Sequence, residues 1–166
     1  MGELAVGIIG ASGRMGMMTI EAVIDDPMAS IGGGLVRQNS LMIGRDIGSI
    51  VGRDPIAIAA THETAKVFSE SDVIIDFSLP DAFTETLSMA VKTSTPIVIG
   101  TTGLTKIQED SIKDAIAEWL PHVVINRVDV NVDSQVPNQI NVDLEFGVTI
   151  EPESLETIQL TFISNF

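Results

Sequence analysis

Cysteine is absent from the 166 residues. That excludes a disulfide framework, thiolate catalysis and any cysteine zinc site. There are two histidines, His62 and His122, far apart in sequence, which argues against a histidine metal site. Positive charge is also scarce: nine Lys and Arg face 23 Asp and Glu, a formal net charge of −14. This balance speaks against a nucleic-acid partner or an anionic membrane surface. Any anionic ligand must be held by local donors against an unfavourable overall field. No apolar run approaches membrane-spanning length, and no basic region precedes the first apolar run. A cytoplasmic location is the expectation. What the chain has in quantity is apolar residues, 45% of the total, enough for a globular core.

Against that background one stretch stands out, Gly10-Ala11-Ser12-Gly13-Arg14-Met15-Gly16. It follows the apolar run Leu4 to Ile9 and precedes a segment with helical periodicity, Met15 to Ile24. A buried strand, a glycine turn and a helix start are the parts of a dinucleotide-binding βα unit. Glycines permit the tight turn and the close approach of a pyrophosphate to backbone. The helix N-terminus offers unpaired N–H groups and a partial positive charge. The glycines fall at 10, 13 and 16, a variant of the usual spacing, and a βα turn without ligand has the same local pattern.

Downstream, the second half of Ser30 to Arg37 reads as a strand, with glycines where backbone or ligand comes close. Residues 38–55 read as loop, Ile56 to Ala60 as a short strand and Glu63 to Phe68 as a helical turn. Asp72 to Phe77 is a buried strand, Pro80 opens a helix to about Lys92, and Thr95 to Ile99 is the next strand. A helix over Leu104 to Trp119 and a strand over Val123 to Ile125 follow. Alternating strands and helices predict a doubly wound α/β parallel sheet, Rossmann-like, over residues 1–126. After Asn126 the apolar period becomes two, through Val128, Val130, Val132, then Ile140 to Phe146, then Ile158 to Phe162. That predicts a β-rich tail of amphipathic antiparallel strands over 127–166, with turns at Pro137-Asn138 and at Glu151 to Ser154. The tail holds seven acids and one base.

Ligands of such sheets bind at the carboxyl ends of the strands. Four loops fall there. In the glycine turn, Arg14 either reaches phosphate or is a solvated helix residue. Arg37 stands where an acid would take a ribose 2′-hydroxyl; with Gln38, Asn39 and Ser40 beside it, it suits a 2′-phosphate, or is an ordinary surface arginine. Phe77 and Ser78 either line the nicotinamide ribose or form a plain turn with Ser78 as helix cap. Gly100-Thr101-Thr102-Gly103 places two hydroxyls between glycines for a ligand, or supplies a threonine cap. Asp76 reads as a structural strand-end carboxylate. Neither histidine falls at a carboxyl end, so neither is given a role, and no catalytic residue is assigned.

Taken together, Gly10 to Gly16, Asp76-Phe77-Ser78 with Pro80, and Ile99-Gly100-Thr101-Thr102-Gly103 resemble the 4-hydroxy-tetrahydrodipicolinate reductase (dihydrodipicolinate reductase) family of lysine and diaminopimelate biosynthesis. The resemblance covers residues 4 to about 118. It implies an oxidoreductase with a Rossmann nucleotide domain, NADPH or NADH as hydride donor, a cyclic dicarboxylate substrate and a tetramer built through a separate sheet domain. From the four loops and the resemblance together, the expected cofactor contacts are Gly10, Ser12, Gly13, Arg14, Met15, Gly16, Arg37, Phe77, Ser78, Gly100, Thr101 and Thr102. The family's Glu-X-His-His-X-X-Lys catalytic segment and its Lys-X-Asp-X-Pro-Ser-Gly-Thr stretch are missing here. Ile163-Ser164-Asn165-Phe166 resembles the start of the family's hinge motif, so the chain is expected to stop where the substrate domain would begin. The expectation is a cofactor domain inactive by itself, joined as a homo-oligomer through the tail. The alternative is a non-catalytic nucleotide-binding or assembly module.

Overall fold

A computed structural model describes residues 3–119, 123–132, 139–148 and 151–163. The first strand, β1 (Leu4–Ile9), coincides with the apolar run that precedes the glycine turn. Helix α1 spans Arg14–Asp25 and β2 spans Ala29–Leu35. Two short helices follow, α2 (Ile47–Ile50) and α3 (Thr64–Ser69), then β3 (Val73–Asp76). Helix α4 (Pro80–Thr93) starts with proline at its first position, where a missing N–H costs nothing. Strand β4 (Ile97–Ile99) and helix α5 (Lys106–Trp119) complete the alternation.

The four strands form one parallel sheet in the order β2-β1-β3-β4. Successive side chains of a strand face opposite sides, and the two cores follow this rule. Val6 and Ile8 join Ile20 and Val23 of α1 in one buried cluster. Ile9 and Ile74 join Val67 and Phe68 of α3 and Ala90 of α4 in the other. Helices thus cover both faces, and the predicted doubly wound sheet is observed. The glycines of β2 serve packing of backbone on backbone: a Cβ on Gly32 would strike the Glu70 carbonyl and Ser71.

Besides α2, which falls within the stretch 38–55 that reads as loop, the structure departs from expectation in three places. Residues 56–60 are not a strand. Ala59 makes only an isolated antiparallel bridge to Asp46. Asp46 explains this: its carboxylate accepts the N–H groups of Ser49 (3.1 Å) and Ile56 (3.1 Å to Oδ2), so that Ile56 donates to a side chain rather than a ladder. Burial alone would push the Asp46 carboxyl up. The N–H groups of Ser49, Ile56, Ala57 and Ile58 outweigh that and hold it below the usual carboxylate value. Ala57 itself is left-handed, with φ 62°. Second, Val123 to Ile125 is strand, but it pairs antiparallel within β5 (Val123–Val132) rather than extending the parallel sheet. Third, Glu151 to Ser154 is not a turn but the start of β7 (Glu151–Ile163). The expected Pro137-Asn138 turn lies outside the described residues.

By contacts the chain divides into two units, residues 1–109 and 110–166. In the second unit β5, β6 (Gln139–Val148) and β7 form an antiparallel sheet in that order. Its register sets Val130 opposite Val142 and Val142 opposite Leu160, and likewise Val128, Leu144 and Ile158. The apolar residues of the period-two pattern are therefore cross-strand partners. No helix among the described residues is long and apolar enough to cross a membrane.

Candidate cofactor site

The glycine turn is held by the sheet beneath it. The Leu35 carbonyl at the end of β2 accepts the N–H groups of both Gly10 (3.1 Å) and Ala11 (3.0 Å). Gly10 has φ +80°, a conformation that a side chain would strain, and a Cβ there would meet the Phe77 carbonyl. The Gly13 N–H closes the turn on the Gly10 carbonyl at 2.8 Å. Gly13 then caps α1, and the first helical bond runs from Met17 N–H to the Gly13 carbonyl at 2.9 Å. The N–H groups of Arg14, Met15 and Gly16 consequently have no acceptor within the helix. No acid occupies the first turn of α1 to answer them.

The three glycines differ in surroundings. Gly16 is buried, and a Cβ there would run into the Gly10 carbonyl and Ala11. Gly13 is exposed, and a Cβ there would meet only the Gly10 oxygen, at 3.2 Å. Gly16 lets the helix seat against the turn, while Gly13 leaves an open approach to the free N–H groups. Ser12 is half-buried; Arg14 and Met15 are exposed.

The loops after β3 and β4 stand next to this turn. The Phe77 N–H donates to Ile9 (3.1 Å), and the Gly100 N–H donates to the Asp76 carbonyl (2.8 Å). The Phe77 ring lies where a side chain on Gly100 would be. Asp76 is wholly buried between the two loops. Its Oδ1 accepts the Ser78 N–H at 2.7 Å and the buried Thr101 hydroxyl at 3.3 Å. Its Oδ2 has no partner among the described residues. Asp76 thus ties the Ser78 loop to the Thr101 loop. Thr102 is exposed in the same segment.

Neither suggested cap is used as such. Pro80 at the first position makes Leu79 the N-cap of α4, and the Ser78 hydroxyl instead contacts the Leu79 carbonyl at 3.4 Å. The next helix is capped by Thr105, not Thr101 or Thr102. Thr105 N–H donates to Gln108 Oε1 (2.9 Å), and Gln108 N–H donates to Thr105 Oγ1 (3.4 Å). This is a capping box, legible as Thr105-Lys106-Ile107-Gln108. Gln108 Nε2 also donates to the Pro80 carbonyl (2.6 Å), fixing the threonine loop against the start of α4.

Arg37 lies two residues past β2, exposed, with no carboxylate partner among the described residues. Thr61 docks beside that strand end in a parallel bridge to Leu35: Thr61 N–H donates to Gly34 (3.0 Å) and Val36 N–H donates to Thr61 (2.8 Å). His62, expected away from the carboxyl ends, is therefore carried to that edge by a contact 26 residues apart in sequence, which no local pattern reveals. No cluster of metal-ligating side chains occurs among the described residues.

These residues fit a dinucleotide: free N–H groups at a twelve-residue helix, an open glycine above them, and two further loops at the same edge. The family model for the N-terminus of dihydrodipicolinate reductase matches residues 4–128. The 4-hydroxy-tetrahydrodipicolinate reductase of Hahella chejuensis is 40% identical over 128 residues, 77% of this chain and 48% of that protein. That of Acinetobacter baumannii is 35% identical over 151 residues, 91% of this chain and 55% of that one. The chain spans about half the length of the curated relatives it matches. Among solved structures, the dipicolinate-bound dihydrodipicolinate reductase of Paenisporosarcina sp. TG-14 aligns with 96% of this chain and 88% of its own, at TM-score 0.51 and 14% identity. Aspartate semialdehyde dehydrogenase with NADP from Candida albicans aligns with 60% of this chain and 30% of its own, at TM-score 0.50 and 16% identity. At such identities these structures bear on the fold alone. The sequence match, extending over three quarters of the residues, places the nucleotide domain: this chain belongs to the dihydrodipicolinate reductase family, in its N-terminal, nucleotide-binding part.

Proposed function

We propose that the chain binds NADPH or NADH at the carboxyl edge of its parallel sheet and is the cofactor-holding part of a 4-hydroxy-tetrahydrodipicolinate reductase, a cytoplasmic enzyme of lysine and diaminopimelate biosynthesis. The observation that carries this reading is the convergence of three loops, after β1, β3 and β4, linked through Phe77, Asp76 and Gly100. Residues 1–126 serve as the dinucleotide domain and 127–166 as the tail that joins copies of the chain.

Each loop has a task. The N–H groups of Arg14, Met15 and Gly16 donate to the pyrophosphate, with Gly10, Ser12 and Gly13 leaving it room to approach. Arg37 faces a 2′-phosphate. Phe77, Ser78, Gly100, Thr101 and Thr102 flank the nicotinamide ribose, and Asp76 behind them keeps the two loops in register. Bound NAD(P)H supplies the hydride. The chain's own residues contribute binding and orientation, since the proton donor and the cations that hold a dicarboxylate have no counterpart here. After Asn126 the only cation is Arg127, and no adjacent pair of histidines occurs.

Calorimetric titration of the folded chain with each cofactor tests the binding. A steady-state assay with substrate generated in situ tests turnover. Saturable one-to-one binding without NADPH oxidation is expected. Absence of binding refutes the site, and clear turnover refutes the division of labour.

A further inference from the structure

We infer that His62 is a second ligand of the cofactor's 2′-phosphate, beside Arg37, and so helps discriminate NADPH from NADH. The inference rests on the cofactor reading above.

Position 62 is fixed by backbone bonds on both sides of β2's end. Residues 38–60 leave the sheet and return to it along their own stem. Gly44 N–H donates to Ala60, Ala60 N–H to Arg45 and Ile47 N–H to Ile58, each at 2.8 Å. Thr61 then takes the parallel position opposite Leu35. His62 is the next residue toward the carboxyl edge, alongside Val36, and Arg37 is one residue further on. Neighbouring parallel strands lie about 4.8 Å apart. Positions 62 and 37 thus stand on neighbouring segments beyond the strand end, both exposed, where one phosphate can meet both side chains. The Leu35 carbonyl anchors the glycine turn as well, through Gly10 and Ala11, so turn, arginine and histidine share one strand end.

The chemistry suits the place. His62 and Arg37 are both exposed, and neither side chain has a partner among the described residues. Thr61 Oγ1 accepts the Glu63 N–H at 3.1 Å, turning the chain toward α3 and leaving residue 62 on the outside of the turn. An imidazole N–H donates to a phosphate in either protonation state. NADH presents only a hydroxyl at this point. Among the charged groups around this segment, Glu63 follows His62 directly, Lys66 stands on α3, Arg45 and Asp46 lie on the stem, and Glu85 of α4 accepts the hydroxyl of Thr64 at 2.9 Å. The Asp46 carboxylate is already engaged with backbone N–H groups.

The test uses adenosine fragments, which isolate this end of the cofactor. 2′,5′-ADP and 5′-ADP are titrated into the wild-type chain, His62→Ala, His62→Glu and Arg37→Ala, with melting temperature recorded for each. His62→Ala should weaken 2′,5′-ADP by about tenfold, the loss of one hydrogen bond to a charged group. It should leave 5′-ADP and the melting temperature unchanged. His62→Glu should weaken 2′,5′-ADP further by repulsion. Wild-type affinity for 2′,5′-ADP in His62→Ala, or equal losses for both fragments, overturns the inference while leaving the cofactor site standing. Equal wild-type affinity for the two fragments also overturns it. Failure of the wild-type chain to bind either fragment or the intact cofactors overturns the cofactor reading itself.

Discussion

Gly13, the N-cap of α1, and Gly16, in its first turn, lie three residues apart, yet their substitution should fail in different ways. A methyl group at Gly16 would sit 2.8 Å from the Gly10 carbonyl carbon and 2.9 Å from Ala11 Cα, with the Gly10 oxygen nearer still. Carbon atoms pack best at about 3.5–4.0 Å, so α1 must retreat by nearly an ångström. The obstacle is backbone and cannot rotate away, which sets the overpacking cost near the upper end of the usual range, about 3 kcal/mol. Alanine returns about 1 kcal/mol through its helix propensity. Gly16→Ala should therefore lose about 2 kcal/mol, or roughly 4–8 °C in melting temperature for a chain of this size. Gly13 has φ −79° and ψ 164°, extended backbone that any residue adopts. A Cβ there needs only a few tenths of an ångström from the Gly10 oxygen. Gly13→Val should melt within a few degrees of the wild type but block the approach to the Arg14, Met15 and Gly16 N–H groups. Losing even one charge-assisted bond costs about 1.5–3 kcal/mol, at least tenfold in affinity. Circular dichroism melts and calorimetric NADPH titrations on the same samples separate the two outcomes. Wild-type affinity in Gly13→Val, or a wild-type melt in Gly16→Ala, would refute the reasoning.

Arg37→Ala should weaken NADPH by about 1–3 kcal/mol and spare NADH, because only NADPH carries the extra phosphate; equal losses in calorimetry would remove Arg37 from that role. Ala57→Gly should raise stability by about 1 kcal/mol, since its φ of 62° strains a Cβ and suits glycine, and a lowered melting temperature would contradict this. The whole chain should sediment as a homo-oligomer, most simply a dimer, and deletion of residues 127–166 should give a monomer or poorly soluble domain that still binds cofactor; a monomeric whole chain at micromolar concentration would defeat the idea.

What was legible in the sequence depended on local causes. Leu4 to Ile9 is a strand residue for residue, because an apolar run before a glycine turn needs nothing distant to define it. Pro80 and the helical periodicity after it placed α4 to within a residue or two. The segment Ile56 to Ala60 misled because its β-like composition is overridden from ten residues away, when the Asp46 carboxylate captures the Ile56 N–H. Glu151 to Ser154 misled through its proline. The register jumps from Gly147 opposite Leu155 to Val148 opposite Glu151, so the strand accommodates Pro152 where the ladder is interrupted. At the candidate site, the order of loops was readable, but their mutual support was not. Asp76 reads as an ordinary strand end until the fold sets Thr101 beside its Oδ1. His62 likewise gains its position only when Thr61 pairs with Leu35.

The charge distribution connects composition to site. With 23 acids and nine bases, a cation without a nearby carboxylate needs another reason for its place. Arg53 pairs with Asp25 at 2.7 Å, and Lys113 with Asp110 at 3.4 Å. Lys66 and Lys92 stand in the last turns of α3 and α4, where they answer the negative ends of the helix dipoles. Helices that follow strands in a parallel sheet start at its carboxyl edge and end at the other, so these two lysines lie away from the proposed cofactor. Arg14 and Arg37 lie at the carboxyl edge, and Arg14 is in the first turn of a helix, the end where a positive charge opposes the dipole. Arg14, without a carboxylate partner among the described residues, is unfavourably placed in the free chain and favourably placed in a chain that holds an anion there. The screening length at physiological salt, about 8 Å, keeps the distant acids from cancelling that attraction. A strongly acidic protein can thus hold a polyanionic cofactor, provided its few unpaired cations and its free N–H groups meet at one edge of the sheet.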